Sequence, residues 1–168
     1  MSKLKKPIGI ATTFDEYQLA EQIGEGGAGR VYGGTDSSGK GVAVKLLTAA
    51  TTDKRKRFKN EISFLTKHQH LNIVEVTDHG ISSDAAFQGP FYVMKRYERS
   101  LRTTIEAGVK PGDVLPIYSG ILDGVEAAHL FGATHRDLKP ENVLVDAKGV
   151  PAVADFGIAS FTEDILHT

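Results

Sequence analysis

The chain has 168 residues, of which 40% are hydrophobic and 24% are charged, so it can bury the core of an ordinary globular domain. Its formal net charge of −1 gives no indication of binding to nucleic acid or to an anionic membrane surface. Cysteine does not occur, which excludes disulfides, thiolate chemistry and cysteine-ligated metal sites and fits a reducing compartment.

Residues 1–16 are expected to form a short solvated leader. Lysines precede the apolar run Ile8–Ala11, but this run is too short for the core of a signal peptide, and Asp15 and Glu16 follow soon after it. No stretch approaches the roughly 20 apolar residues that a membrane-spanning helix requires. We therefore expect a soluble, cytoplasmic chain.

The first part of the chain shows strand patterns separated by a glycine-rich turn. Alternating apolar and polar residues over Tyr17–Ile23 predict a half-buried strand, and the pattern resumes at Val31-Tyr32. Because the two patterns flank one short run of glycines, we expect a hairpin. The valine-rich run Gly41–Leu47 predicts a third, buried strand.

After the third predicted strand, the spacing of the apolar residues changes. Apolar residues at i, i+4 and i+7, from Phe58 to Leu65, predict a helix between residues 53 and 68. Further strand patterns occupy residues 71–76 and 91–94. Strands with one helix are therefore expected up to the charged segment that follows.

The remainder is predicted to be mostly helical. Pro111-Gly112-Asp113 is typical of a helix start, with Asp113 able to cap it, and Gly132 is typical of a helix end. Between them, apolar residues recur every three or four positions, at Val114, Ile117, Ile121, Val125 and Ala128. Two short apolar runs with interspersed polar residues come after this helix.

The segment from Gly24 to Val31 fits the pattern G-x-G-x-x-G-x-V. Glycines let backbone N–H groups approach a phosphate, but the pattern alone is equally consistent with a hairpin turn. A dinucleotide-binding fingerprint would need these glycines to open a helix, and no helical period follows. A Walker A loop would need Gly-Lys followed by Ser or Thr, which is missing. A glycine loop between two strands remains.

Lys45 ends the buried strand pattern Val42–Lys45, where a lysine usually marks only a solvated strand edge. Its strand is expected to pack beside the hairpin, which would bring the ammonium group near a phosphate under the glycine loop. A buried ammonium group needs a carboxylate partner. Glu61, on the inner side of the predicted helix, is the candidate, although alone it would fit an ordinary surface carboxylate.

Polar residues are concentrated in two segments, His135-Arg136-Asp137-Leu138-Lys139-Pro140-Glu141-Asn142 and Asp155-Phe156-Gly157. Taken singly, Asp137 and Asn142 fit capping residues and Asp155 fits a turn. Such a density of charge between apolar runs indicates a polar site.

These features together resemble a eukaryotic-type protein kinase. Five elements match in the order and spacing of that family: the glycine loop, the Val-Ala-Val-Lys strand, the helical glutamate, His-Arg-Asp with its asparagine, and Asp-Phe-Gly. Lys139-Pro140-Glu141 resembles the serine/threonine class. Leu71 stands where the family pattern commonly has proline.

The resemblance implies a role for each matched residue. Gly24, Gly26 and Gly29 would cover the phosphates of ATP, and Lys45, paired with Glu61, would bind them. Catalysis would involve Asp137 as the base that accepts the substrate proton and Lys139 as the cation that neutralises the transferring phosphoryl group. The remaining members of the set would bind Mg²⁺, and these are Asn142 and Asp155.

The resemblance also implies an adenine pocket. Its residues would lie above and below the adenine ring, at the back of its pocket, and in the hinge, the segment whose backbone would hydrogen-bond the ring. They are Ile23, Val31, Ala43, Met94, Lys95, Tyr97 and Leu144.

The implied fold is α+β and protein-kinase-like. An antiparallel sheet with one helix would form an ATP-binding N-lobe over residues 17–97, and residues 98–168 would form the first, mostly helical part of a C-lobe. The Ala-Pro-Glu element and the later helices of the family do not occur before Thr168. We therefore expect an incomplete C-lobe, with a loosely packed second part of the chain.

Two functions follow from the resemblance. The first is transfer of the γ-phosphoryl group of Mg–ATP to a serine or threonine hydroxyl of a protein, with no nucleic acid or membrane partner. The alternative is a nucleotide-binding, pseudokinase-like fragment without turnover.

Overall fold

The chain forms two compact units in the computed structural model. The first comprises residues 1–63 and 76–96, and the second comprises residues 64–75 and 97–168. A single boundary after residue 97 was expected, but the short segment 64–75 joins the second unit. The structure describes residues 2–26, 29–48, 51–84, 87–156 and 160–161.

The first unit contains a six-stranded antiparallel sheet and the start of a helix. The order of its strands is β1-β2-β3-β4-β6-β5, with every neighbouring pair antiparallel. Helix α1 spans Thr52–Lys67, as the apolar period predicted. The strands are β1 (Ser2–Ala11), β2 (Glu16–Gly26), β3 (Gly29–Asp36), β4 (Gly41–Leu46), β5 (Val76–Asp84) and β6 (Phe87–Lys95).

Strand β4 is buried on both faces, which explains its continuous apolar run. On one face, Val42, Val44 and Leu46 join the main apolar core. Ala43 and Lys45 point to the opposite face because side chains alternate along a strand. The core cluster consists of Ile10, Tyr17, Leu19, Tyr32, Val42, Val44, Leu46, Phe87, Phe91 and Val93.

The N-terminal residues are a strand rather than the expected solvated leader. Strand β1 pairs with β2, and Ile10 is buried in the core, with Leu4 and Ile8 packed against it. These apolar residues occupy even positions, whereas Lys3 and Lys5 occupy odd positions and are exposed. The period of two is that of an edge strand with one buried face, and the leader prediction overlooked it.

A buried carboxylate links the two ends of this sheet. The Tyr17 hydroxyl on β2 donates to Asp78 Oδ2 on β5 over 2.7 Å, and the Thr12 hydroxyl donates to the same oxygen. Burial, and then the hydrogen bond to Asp78, raise the pKa of Tyr17 well above its usual range. Hydrogen bonding therefore satisfies Asp78 in a largely apolar setting.

The second unit combines helices with very short strands. It contains α2 (Leu101–Glu106), α3 (Pro111–Leu130) and a short 3-10 helix at Pro140–Asn142. One small sheet has the order β10-β9-β7 and another pairs β11 with β8. The strands are β7 (Arg99–Ser100), β8 (Ala133–Thr134), β9 (Val143–Val145), β10 (Pro151–Val153) and β11 (Ser160–Phe161).

Helix α3 begins at Pro111, where the sequence predicted it. Lys110 is the N-cap, so Asp113 lies inside the first turn and does not cap the helix. The buried face differs from the predicted apolar stripe, since Val114 is 50% exposed. Small residues dominate the buried positions because the helix packs closely on neighbouring backbone. The buried residues are Ile117, Gly120, Gly124, Ala127 and Ala128.

One further prediction was only partly correct, and one short helix was missed. Residues 71–76 were expected to form a strand, but the structure has a turn and a single parallel bridge between Ile73 and Val153 before β5 begins. Helix α2 was not predicted, because it is short, and its N-cap is Ser100, whose hydroxyl accepts from the Thr103 N–H. Among the described residues, no helix is both long and apolar enough to span a membrane.

Candidate active site

In the first unit, Lys45 and Glu61 form a buried ion pair. Lys45 Nζ lies 2.9 Å from Glu61 Oε1, and the two residues are 6% and 0% exposed. Glu61 reaches the sheet because it lies three positions after Phe58 on the inner face of α1. An isolated buried charge would be very costly, so each group depends on the other.

Tyr92 completes this cluster, and the sequence analysis did not identify it. Its hydroxyl donates to Glu61 Oε1 over 3.1 Å, and its ring stacks on Phe58 with centroids 5.4 Å apart. Lys45 Nζ lies 5.5 Å from the centroid of the same ring. Tyr92 stands directly opposite Lys45 in the β4–β6 ladder, a long-range pairing that local patterns do not reveal.

Hydrogen bonding to the Glu61 carboxylate is one-sided. Oε1 accepts from both Lys45 and Tyr92. Within the ranges that the structure describes, the buried Oε2 has no hydrogen-bond partner. The orientation of the carboxylate therefore depends on the two donors at Oε1.

The glycine loop joins β2 to β3, as the hairpin prediction required, and Gly27 and Ala28 lie outside the described residues. The fold needs glycine at Gly29, where φ is +140° and a Cβ would overlap the Leu46 carbonyl oxygen. Among the described residues, a Cβ at Gly26 would meet nothing within 4 Å, and at Gly24 it would make only ordinary contacts with Val31. Packing therefore does not explain why glycine occupies positions 24 and 26.

Several predicted adenine-contacting residues share the sheet face of Lys45. Val31 pairs with Lys45 across β3 and β4, and Ala43 pairs with Met94 across β4 and β6. Ala43 and Met94 are buried, whereas Val31 is half-buried. Ile23 on β2 and Lys95 at the end of β6 are also half-buried. An apolar surface thus adjoins the Lys45 ammonium group.

In the second unit, Asp137, Lys139 and Asn142 form one hydrogen-bonded group. Asp137 Oδ2 accepts from Lys139 Nζ at 2.7 Å and from Asn142 Nδ2 at 3.0 Å. The hydrogen bond from Lys139 is the largest cause that lowers the pKa of Asp137, and it raises the pKa of Lys139. Asp137 is therefore an ionised carboxylate at neutral pH.

Buried His135 forms hydrogen bonds both to this loop and to the segment before Asp155. The backbone N–H of Asp137 donates to His135 Nδ1 over 3.2 Å, and His135 Nε2 lies 2.8 Å from the Ala154 carbonyl oxygen. The two bonds require a proton on Nε2 and a lone pair on Nδ1. Fully buried Phe156 packs against His135, with ring centroids 4.7 Å apart. His135 thereby connects the Asp137 loop to the segment that carries Asp155.

Two residues of this site have an uncommon backbone conformation. Arg136 and Asp155 both have φ of 64°, the left-handed region that residues other than glycine rarely adopt. Such conformations concentrate at functional sites, where the surrounding packing holds them in place. Gly157 of the Asp-Phe-Gly segment lies outside the described residues.

The residues predicted to hold a metal offer suitable oxygen ligands. The Asn142 amide nitrogen donates to Asp137, so its carbonyl oxygen is the atom available to a cation. Asp155 supplies a half-buried carboxylate. No cluster of three or more His, Cys, Asp or Glu side chains that could bind a metal occurs in the described part of the chain. Two oxygen ligands fit Mg²⁺, which commonly keeps waters and substrate phosphates in its coordination shell.

Other residues of the second unit support the site. Leu144, half-buried on β9, and Tyr97 were predicted to contact adenine. The Tyr97 hydroxyl accepts from the Glu75 N–H over 3.4 Å, and burial raises its pKa. Arg102 on α2 lies 2.8 Å from Glu141 and anchors the turn before Asn142. The Arg102 contact was not predicted, because α2 was missed.

Comparison with known proteins identifies the family. The family model described as the protein kinase domain matches residues 17–166. Serine/threonine-protein kinase pkn2 of Myxococcus xanthus is 37% identical over 156 residues, which cover 88% of this chain and 18% of that protein. The probable serine/threonine-protein kinase PknB of Corynebacterium glutamicum is 36% identical, with coverages of 89% and 24%. PknD of Mycobacterium tuberculosis is 33% identical, with coverages of 92% and 24%.

The chain belongs to the protein kinase family, because the family model matches most of its length. The resemblance inferred from the five sequence elements is thus confirmed, as is the α+β fold with an antiparallel sheet and one helix. The chain spans about a quarter of the length of the first curated relatives it matches.

Proposed function

We propose that the chain binds Mg–ATP and transfers its γ-phosphoryl group to a serine or threonine hydroxyl of a protein. The buried Lys45–Glu61 ion pair is the observation that best supports this function. A charged pair in an otherwise apolar region is costly to fold, and a packed apolar pair would often be as stable. A buried ammonium group beside an apolar surface is well suited to bind a phosphate under the glycine loop.

In this proposal, the first unit binds the nucleotide. Gly24 and Gly26 carry no side chain to obstruct a phosphate, although the fold would tolerate one there. Lys45 supplies the positive charge for the α- and β-phosphates, and Glu61 holds it in place. Apolar residues on the same sheet face, among them Ala43 and Met94, contact the adenine ring.

The second unit supplies the chemistry. A bond forms between the substrate hydroxyl oxygen and the γ-phosphorus as the bond to the bridging oxygen of ADP breaks, so ADP leaves with that oxygen. Asp137, ionised and oriented by Asn142, accepts the hydroxyl proton. Lys139 compensates negative charge on the transferring group. Asn142 and Asp155 would hold Mg²⁺, which when bound neutralises charge on the phosphates.

Two observations bear on the protein substrate and the cellular setting. The named relatives are serine/threonine kinases, and Lys139-Pro140-Glu141 fits that class. The absence of cysteine suits a reducing compartment such as the cytoplasm.

A transfer assay tests the proposal. The chain is incubated with ATP, Mg²⁺ and a generic basic protein, and phosphoryl transfer is followed with Asp137→Asn and Asp123→Asn variants. Asp123 is an exposed aspartate on α3 and serves as the matched control. We expect transfer by the wild type and Asp123→Asn only. Equal transfer by Asp137→Asn would refute the assignment of the base.

Nucleotide binding without turnover is the second candidate. Five large apolar side chains of α3 are at least half exposed, and they are Val114, Leu115, Tyr118, Leu122 and Leu130. Exposed apolar side chains gain no free energy from burial, so α3 stabilises the second unit less than a fully packed helix would. This candidate predicts that ATP raises the unfolding temperature while no phosphoryl transfer occurs.

A further inference from the structure

We propose that Tyr92 is a positioning residue that fixes the Glu61 carboxylate and thereby the Lys45 ammonium group. The inference rests on the proposed nucleotide-binding role of Lys45. It adds a residue that neither the family elements nor the sequence pattern assigned to the site.

The first argument is the pattern of donors on Glu61. Of the two carboxylate oxygens, Oε1 receives Lys45 and Tyr92, while Oε2 has no partner among the described residues. A carboxylate bonded to Lys45 alone could exchange its two equivalent oxygens by rotation. The Tyr92 hydroxyl, 3.1 Å from Oε1, adds a second donor to the oxygen that binds Lys45 and so restrains this rotation.

The second argument is that Tyr92 is itself held rigidly. It is 1% exposed, and its ring stacks on Phe58, which lies one turn before Glu61 on α1. Tyr92 therefore contacts the helix twice, through its ring and through its hydroxyl. Its backbone pairs directly with that of Lys45, so strand and helix are fixed to each other at this point.

The third argument concerns the Lys45 ammonium group. It lies 5.5 Å from the centroid of the Tyr92 ring, within the range in which a cation is attracted to an aromatic face. An aliphatic residue at position 92 would bury comparable area but would offer neither the ring face nor the hydroxyl. The tyrosine thus contacts both members of the ion pair.

The chain contains a matched control for the loss of a buried tyrosine hydroxyl. Tyr17 donates to the buried carboxylate of Asp78 over 2.7 Å, in the same unit and away from Lys45. Tyr92→Phe and Tyr17→Phe each remove one hydroxyl-to-carboxylate bond and keep the ring. Any general effect on folding is therefore common to both variants, and an effect on Lys45 is specific to Tyr92→Phe.

Two readouts test the proposal. The first is the Kd for Mg–ATP by calorimetric titration, and the second is the rate at which an amine-selective acylating reagent modifies Lys45, followed by peptide mass spectrometry. For Tyr92→Phe we expect Mg–ATP binding to weaken about tenfold, comparable to the loss of one hydrogen bond to a charged group. We expect Lys45 modification to accelerate at least about threefold, because the amine is held less closely. Tyr17→Phe should change neither quantity.

The outcomes separate this inference from the proposed function. If Tyr92→Phe and Tyr17→Phe give the same Lys45 modification rate, Tyr92 has only a structural role and the inference is wrong. If the wild type binds no Mg–ATP, the proposed function fails, while the difference in Lys45 modification still decides the role of Tyr92.

Discussion

Lys139 Nζ donates to Asp137 Oδ2 over 2.7 Å, so these two oppositely charged residues of the segment from His135 to Asn142 are bound to each other. Side chains two positions apart lie on the same side of an extended backbone, which favours this contact. Lys139 has extended dihedral angles, with φ of −154° and ψ of 162°. The hydrogen bond from Lys139 lowers the pKa of Asp137, the proposed base.

We expect the Lys139→Ala substitution to raise the pKa of Asp137 toward the ordinary aspartate range. In the wild type the pKa is lowered, so the carboxylate is ionised throughout the neutral range and is protonated only when the pH falls through that lowered value. Removal of Lys139 removes the largest cause of the shift. Carbon-13 NMR titration of the Asp137 carboxyl measures the change, and an unaltered midpoint would show that Lys139 does not control it.

Loss of one member of the Lys45–Glu61 pair should destabilise the first unit more than loss of both members. Glu61→Ala leaves a buried ammonium group without its carboxylate, which costs roughly 3–5 kcal/mol in the free energy of unfolding. The double variant Lys45→Met/Glu61→Leu removes both charges and should recover much of this loss. Urea unfolding compares the two variants. A double variant no more stable than Glu61→Ala would contradict the interpretation.

Two glycines of the same loop should differ in their effects. Gly29→Ala should destabilise the first unit by about 2 kcal/mol or more, because it combines a positive φ with a clash against the Leu46 carbonyl. Gly26→Ala should leave the unfolding temperature nearly unchanged, because a Cβ there contacts none of the residues that the structure describes. Under the proposed function it should nevertheless weaken ATP binding. Thermal unfolding and ATP titration of both variants test this contrast. An unchanged ATP affinity in Gly26→Ala would contradict it.

The packing of α3 predicts a strong effect of a methyl group at position 124. A Cβ there would overlap the Asn72 carbonyl oxygen, and Asn72 itself donates from Nδ2 to the Pro151 carbonyl oxygen over 2.8 Å. We expect Gly124→Ala to destabilise the second unit by about 1–3 kcal/mol, as overpacking usually does. Gly112→Ala is the control, since a Cβ at that position is free of contacts. Equal denaturant midpoints for both variants would show that the helix can shift.

Local patterns identified the family because its characteristic sequence elements are local. The glycine loop, the lysine strand, His135 to Asn142 and the Asp-Phe-Gly segment each occupy a few consecutive residues, and their order alone identified the family. The helix carrying Glu61 was predicted from its period, and the structure has it at Thr52–Lys67. The N-terminal strand was missed, although its alternation of lysine and apolar residues is visible in the sequence.

The sequence by itself therefore determined the family and the order of its sequence elements, since these follow from short, local spacing. Tertiary structure alone decided which residues from distant parts of the chain contact each other. Tyr92 meets Glu61 because β6 pairs with β4 from 47 positions away, as the Lys45↔Tyr92 register shows. The contacts of Asn72 with Pro151 and of Gly124 with Asn72 likewise join segments that lie far apart in the sequence. Contacts between distant segments depend on strand register and helix packing, which no local pattern of residues encodes.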